Sequence, residues 1–298
     1  MCVLSIGTFD GIHLGHRKLL ATVRALASEQ ALRSVIVSYT DHPAFVLRKH
    51  PEPKMLCPSL IKQQELLRLG IDDVALLDFT GDLASMSAMD FLRDILIARW
   101  HPRYIVVGYD SHFGKGREGN KEFLEIHAEA FGYQVVYVEP LMEEGHPISS
   151  SRIRKHLQQG DLDSANRLLG RPYRLLGTVV QGLARGRAFG FPTANLALSN
   201  PHQLIPRDGI YLSRVHLEDA VLFGLTNIGS SPTVKHTGII EIETFVIDYD
   251  GDLYDSKMQV ELLKYLREEK MFANTDELIM AMNQDLSLAR QLIRQDAL

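Results

Sequence analysis

Gly7-Thr8-Phe9-Asp10-Gly11-Ile12-His13-Leu14-Gly15-His16 stands between an apolar run, Val3–Ile6, and a stretch with helical apolar spacing, Leu14–Ala27. A short buried strand that turns through glycines into a helix is an opening unit of an α/β fold. The glycines let the backbone turn sharply and approach a ligand closely. The helix N-terminus supplies N–H groups and the positive end of the dipole, a setting for phosphate. His13 and His16 are three apart, so on a helix they share a face. Imidazoles there can donate to phosphate oxygens and stabilise charge in phosphoryl-type transfer. A zinc site lacks a convincing third ligand, and the spacing differs from the i,i+4 pair of zinc proteases.

Outward from this motif the first half alternates. Ser34–Tyr39, Val74–Leu77, Tyr104–Val107 and Gln134–Val138 read as strands, and Leu60–Leu69, Ala88–Trp100 and Phe123–Phe131 as helices. That order implies βαβ units and a parallel sheet, with ligands at the carboxyl ends of the strands. Ser149–Leu157 and Leu162–Leu169 read as two short helices. Gly170, Arg171 and Pro172 then break the pattern, which places a domain boundary between 1–170 and 171–298. Beyond it Tyr173–Val180, Ile210–His216, Val221–Asn227, Ile240–Ile247 and Met258–Leu262 read as strands without intervening helices, a small barrel or sandwich. Thr275–Gln295 reads as a terminal helix.

The length of 298 residues suffices for two such domains, and 45% hydrophobic residues supply two cores without metals or disulfides. A net charge of −5 argues against a general nucleic-acid binder. Cys2 and Cys57 have no partner at metal-ligand spacing and fit a reducing cytoplasm. No apolar run approaches the ~18 residues of a membrane span. Met1–Ile6 runs straight into the glycine motif, so no signal peptide is expected. Oligomeric state is not legible.

Further motifs follow the strands. Thr40-Asp41-His42-Pro43 follows the second. Gly108-Tyr109-Asp110-Ser111-His112-Phe113-Gly114-Lys115-Gly116-Arg117 follows the fourth; it is no P-loop, because Gly116 occupies the required Ser/Thr position. Ile148-Ser149-Ser150-Ser151-Arg152-Ile153-Arg154 opens a helix, where hydroxyls cap the terminus or receive phosphate. In the second half, Gly182-Leu183-Ala184-Arg185-Gly186-Arg187-Ala188-Phe189-Gly190-Phe191-Pro192-Thr193-Ala194-Asn195-Leu196 combines close backbone approach, positive charge and the hard oxygens of Thr193 and Asn195. Asn227-Ile228-Gly229-Ser230-Ser231-Pro232-Thr233, then Ile242-Glu243-Thr244-Phe245 ahead of Asp248-Tyr249-Asp250-Gly251-Asp252-Leu253-Tyr254, and Leu266-Arg267-Glu268-Glu269-Lys270-Met271-Phe272 complete the set.

The first motif resembles the phosphate-binding signature of the HxGH nucleotidyltransferases, and in its full form that of prokaryotic FAD synthetases. The run Gly190–Leu196 is similar to the riboflavin kinase signature. The resemblance covers nearly the whole chain in order. It implies a Rossmann-like nucleotidyltransferase domain followed by a small β-barrel kinase domain with a terminal helix. It also implies two ATP-dependent reactions that make FMN from riboflavin and then FAD from FMN. On this resemblance His13, His16 and Arg154 stabilise charge in AMP transfer, and Glu243 is the base of the kinase. Gly7, Phe9, Asp10, Gly11, Gly15, Asp110, Lys115, Arg117, Ser150 and Ser151 belong to the first nucleotide and flavin site. Gly182, Arg185, Gly186, Arg187, Gly190, Pro192, Asn227 and Arg267 belong to the second, and Thr193 and Asn195 organise Mg²⁺ carried by ATP. Departures from the family pattern are Asp41 for a proline, Leu56-Cys57-Pro58-Ser59 for a run richer in threonine and acids, Ser151 for a threonine, and Asp255 for a glycine. Two rivals remain at this point: another nucleotidyltransferase whose barrel only recognises substrate, and a flavin-binding regulator without catalysis.

Overall fold

The computed structural model describes residues 1–47, 53–182, 190–230 and 240–295. They form two compact units, Met1–Ser150 and Ser151–Leu298. The first is built on five parallel strands, β1 (Cys2–Ile6), β2 (Arg33–Tyr39), β3 (Asp73–Leu77), β4 (Pro102–Gly108) and β5 (Gln134–Val138), in the order β3-β2-β1-β4-β5. Side chains alternate across this sheet. Leu4, Val35, Val37, Ile105 and Val107 join one buried cluster, and Val3, Ile36 and Val106 join another. Both faces of the central strands are thus apolar and covered, which is why they read as near-continuous hydrophobic runs.

Helix α1 (Leu14–Glu29) packs Leu19, Leu20, Val23 and Ala27 into the second cluster. The expected helix over Ala88–Trp100 exists, but its middle, Phe91–Ile97, is wound as a π-helix. His101, at φ 48°, terminates it in the left-handed region. A small hairpin not read from the sequence, β6 (Met142–Glu143) with β7 (His146–Pro147), precedes the last helix of this region.

In the second unit Asn166 ties helix Leu162–Leu169 to the strands. Its Nδ2 donates to the Leu262 carbonyl at 2.9 Å, and its Oδ1 accepts from the Tyr173 amide at 2.8 Å. Six antiparallel strands close a barrel: β8 (Tyr173–Val180), β9 (Thr193–Leu198), β10 (Gly209–His216), β11 (Val221–Ser230), β12 (Ile240–Val246) and β13 (Lys257–Arg267), in the order β10-β11-β12-β9-β8-β13. The barrel, rather than a sandwich, is the architecture. A buried hydroxyl ladder crosses its wall, with Ser213 to Thr226 at 2.8 Å and Thr226 to Thr244 at 3.0 Å. The terminal helix, Thr275–Arg294, starts with Asn274 accepting from the Glu277 amide. Its Ala289 packs with Leu212, Leu225 and Ile247 on the barrel's outer face.

The β8–β9 seam is tight. A Cβ at Gly177 would strike the Ala197 carbonyl group across it. Gly177→Ala is therefore expected to destabilise the barrel by about 1–3 kcal/mol, measured by urea denaturation with a probe in the second unit.

Candidate functional sites in the two units

The turn that carries the two histidines is strained. Phe9 and Ile12, neither a glycine, sit at φ 46° and 44°, with Gly11 at 84°. Such residues cost about 1–3 kcal/mol each and persist only where their surroundings fix them. Here the surroundings do so: Phe9 is 2% exposed and Ile12 fully buried. Gly7 faces the Phe9 ring, which a Cβ at that position would meet at 3.3 Å.

His13 is the N-cap of α1, the position usually held by Ser, Thr, Asp or Asn. Its Nδ1 accepts from the His16 amide at 3.3 Å. A backbone N–H only donates, so neutral His13 carries its proton on Nε2. The His13 and His16 rings stack at 3.7 Å with 15° between their planes, and Phe9 meets His16 edge-on at 5.3 Å. Burial above all, then the proximity of His13 and Lys62, holds His16 well below the usual imidazole value. His16 is thus neutral near pH 7. Its Nδ1 is buried without a hydrogen-bond partner among the described residues, an exception that a functional role or a ligand accounts for. Gly15 makes the stack possible: a Cβ there would lie 3.2 Å from the His13 ring.

Asp10 has a different kind of role. Its buried carboxylate accepts from the Leu56 amide at 2.9 Å and the Cys57 amide at 2.9 Å. It fixes the segment leading into helix Ser59–Arg68. Because main-chain groups make these bonds, the departure at Leu56-Cys57-Pro58-Ser59 leaves the anchor in place. Ser150 donates to the Asp10 carbonyl at 2.8 Å, which joins Ser150 to the histidine turn. Ser151 is exposed and Arg154 half-buried on helix Ser150–Gln159, in the second unit.

The loop after β4 closes on itself. Phe113 and Gly119 exchange backbone hydrogen bonds at 2.9 and 3.0 Å, and Phe113 inserts into the core. Asp110, Lys115 and Arg117 are left exposed, and Lys115–Arg117 form a single 3₁₀ turn. Arg117 approaches His112 Nδ1 at 2.9 Å. His42 accepts from the Ala44 amide and caps a short helix.

In the barrel, register assembles the second constellation. Asn227 on β11 lies opposite Glu243 on β12, and Glu243 lies opposite Asn195 on β9. Directly opposed residues share a face, so three adjacent strands place Asn195, Glu243 and Asn227 in one row. Thr193, two residues before Asn195, shares that face. Asn227 Oδ1 is buried without a hydrogen-bond partner among the described residues. Gly182 packs directly against the Asn195 amide, leaving no room for a side chain.

Beside this row lies a cavity of about 660 Å³. Gly182, Gly190, Pro192, Thr193 and Asn195 line it from one side, and Asp248–Tyr254 from the other. Glu243 is not among its lining residues. Asp255, in place of the family's glycine, adopts φ 61° at the end of that second wall, the left-handed geometry the position requires. Arg185, Gly186 and Arg187 lie outside the described residues. The Arg267 guanidinium is engaged by Asp285 at 2.6 and 2.9 Å and by the Glu268 carbonyl, so it clamps the terminal helix.

Sequence reading quoted Asp248–Tyr254 as a motif but gave it no site role, although its turn residues and tyrosines signalled one. It missed one feature outright. Lys62 and Glu65 are charged residues on the apolar stripe of helix Ser59–Arg68 and are buried there.

A parallel α/β unit whose first helix is capped by a histidine, followed by a closed barrel with Glu243 set between two asparagines beside a cavity, is the frame of a two-domain transferase. The FAD synthetase family model matches residues 1–152, and the riboflavin kinase model matches residues 169–293. The bifunctional riboflavin kinase/FMN adenylyltransferase of Pseudomonas fluorescens is 36% identical, over 99% of this chain and 94% of its own length. That of Escherichia coli K12 is 35% identical, over 97% and 92%. A crystal structure from Streptococcus pneumoniae, described as a macrolide-efflux protein, superposes with a TM-score of 0.87 at 29% identity, over 97% of this chain and 94% of that one. The chain belongs to the bifunctional riboflavin kinase/FMN adenylyltransferase family. A barrel that only recognises substrate is thereby set aside. No helix among the described residues is long and apolar enough to cross a membrane.

Two outcomes follow from the histidine stack. Gly15→Ala should press on the His13 ring and lower FMN adenylylation by on the order of tenfold or more, with α1 retained by circular dichroism. Because folded His16 binds its proton less readily than the unfolded chain, the stability it permits is fully present above about pH 6.5 and is lost as pH falls from there toward its depressed value. Thermal unfolding of the first unit should therefore fall more steeply between about pH 7 and pH 5 in the parent than in His16→Gln.

Proposed function

We propose that the chain carries out two consecutive transfers: riboflavin to FMN in the barrel, then FMN to FAD in the α/β domain. The observation that carries this reading is the match of two family models, in order, each over a unit with its own constellation. The functional boundary is placed at 1–170 and 171–298. It is supported by the kinase match beginning at residue 169 and by Gly170 closing helix Leu162–Leu169 in the left-handed conformation. The compact units divide earlier, at Ser150 and Ser151.

In the kinase, Glu243 takes the proton of the riboflavin 5′-hydroxyl as its oxygen attacks the γ-phosphorus of ATP, and ADP leaves. Asn195 and Asn227 flank Glu243 across the strands. Thr193 and Asn195 present hard oxygen donors on the cavity wall, the chemistry suited to Mg²⁺, and would hold the ion that arrives with ATP. An ion held there would supply positive charge against the transferring phosphates. Gly182, Gly190 and Pro192 shape the cavity, and Arg185, Gly186 and Arg187 belong to the same motif and bring its positive charge to the nucleotide. Arg267 acts by clamping the terminal helix.

In the adenylyltransferase, a phosphate oxygen of FMN attacks the α-phosphorus of a second ATP, and pyrophosphate leaves. Neutral His13 donates from Nε2, and His16 and Arg154 stabilise the remaining charge. Gly7, Phe9, Gly11 and Gly15 hold the turn, Asp10 anchors it, and Ser150 and Ser151 open the helix that carries Arg154. Asp110, Lys115 and Arg117 bring polar groups to the flavin and nucleotide from the β4 loop. Riboflavin, FMN and ATP are the partners of this reading, with neither nucleic acid nor a membrane, in a reducing cytoplasm that keeps the buried Cys2 and Cys57 as thiols.

His16→Ala should abolish FAD formation and leave FMN formation at the parent rate. Glu243→Ala should abolish FMN formation from riboflavin yet make FAD when FMN is supplied. Chromatographic separation of the flavins over time decides it; loss of both activities in either folded variant would refute independent sites. Stoichiometric flavin binding with no ATP consumed by the parent would instead favour a regulator.

A further inference from the structure

Helix Ser59–Arg68 turns a cation inward. Lys62 is 2% exposed, on the face it shares with Ile61, Glu65 and Leu66. Glu65 is paired with Arg68 at 3.0 Å, and no ion pair engages Lys62 among the described residues. Its Nζ instead donates to two neutral oxygens, the Tyr39 carbonyl at 2.7 Å and Ser38 Oγ at 3.2 Å. Burial pulls its pKa below the usual lysine value, with Asp10, then Cys57 and Asp41, partly opposing that shift. A buried ammonium without an ion pair is a stability liability, and a Met of similar volume fills such a place more favourably. Core packing alone therefore does not account for a lysine here.

The bonds of Lys62 lead to the histidine turn. An ammonium only donates, so Ser38 Oγ accepts from Lys62 and donates its own O–H to the Thr8 carbonyl, 3.1 Å away. The Gly7 amide donates to the Val37 carbonyl at 3.1 Å, so the turn and the carboxyl end of β2 are laced together at adjacent residues. Charge at one end of a hydrogen-bond chain strengthens the next bond. In a trans peptide the carbonyl and the following N–H point oppositely. Drawing the Thr8 carbonyl toward Ser38 therefore points the Phe9 N–H away from Ser38, across the peptide bond. That N–H belongs to the first residue of the strained turn, at φ 46°.

We propose that Lys62 is a positioning residue for AMP transfer, setting the Thr8–Phe9 peptide of the histidine turn through Ser38. The inference rests on the reading of the α/β domain as the FMN adenylyltransferase. Lys62 touches no reacting atom in this account; it holds the backbone on which His13 and His16 are mounted.

The test uses the full chain, whose kinase step is an internal control. Lys62→Met should lower kcat for FMN adenylylation by about tenfold or more, with a smaller change in KM for FMN. Riboflavin phosphorylation should be unchanged, and the Tm of the first unit no lower than the parent's. Ser38→Ala keeps the ammonium and cuts the relay, and should lower the same kcat. Parent-like FAD formation by Lys62→Met would overturn the proposal. So would a loss of activity that tracks a fall in Tm, because that is a packing role. Full activity in Ser38→Ala beside a defective Lys62→Met would overturn the relay. A parent that makes FMN but no FAD would instead overturn the reading of the α/β domain itself.

Discussion

His13 gives the Nδ1 lone pair to the His16 amide, and the arrangement of the histidine turn depends on that bond. It caps α1, fixes the tautomer of His13 and brings the two rings into a stack at 3.7 Å. Two imidazoles that close cannot both carry charge at low cost. Burial makes the neutral state of His16 the stable one. The site thus offers neutral donors on a helix N-terminus. Such groups contribute little repulsion to reorganise when a polyphosphate arrives and are already aimed when it does. The bond holds because no side chain at Gly15 pushes His13 aside and because the strained Phe9 and Ile12 are buried.

The barrel solves a different problem by register. Parallel strands deliver groups at their ends, whereas antiparallel neighbours deliver them in rows across the sheet. The pairing of β12 with β9 on one side and β11 on the other is what sets Asn195, Glu243 and Asn227 abreast. A one-residue slip would turn Glu243 to the face that holds Thr244 and Ile242, both buried. The buried ladder from Ser213 through Thr226 to Thr244 resists such a slip, because it would leave hydroxyls unmatched in the wall.

The sheet and the histidine motif were legible because they depend on local pattern, whereas Glu243 was singled out only by the family resemblance, its row being made by strand register. β5 and β8 match their sequence-read limits, Gln134–Val138 and Tyr173–Val180. β9 was not read as a strand. Its sequence, Thr193–Leu198, follows a proline and carries small residues, so pairing with β8 and β12 rather than propensity makes it extended. β13 runs to Arg267, five residues past the expected Leu262, because pairing with β10 carries the polar Lys264, Tyr265 and Arg267 along. The π segment Phe91–Ile97 has no helix-breaking residue to announce it. Long-range partners were illegible for the same reason: nothing near Arg267 in sequence names Asp285, and nothing near Asp10 names the Leu56 and Cys57 amides.

The two constellations differ as the two nucleophiles differ. A riboflavin hydroxyl is a weak nucleophile until its proton is removed, so the kinase reading requires a carboxylate beside the alcohol, and the barrel supplies Glu243 in a row of amides. An FMN phosphate is already anionic near neutral pH, so AMP transfer requires positioning and charge stabilisation but no base. The α/β unit is built accordingly. Its one carboxylate within the histidine turn, Asp10, is committed to two backbone amides and serves as an anchor. The imidazoles beside it are held as neutral donors. On that reading each fold carries the groups that its own step needs.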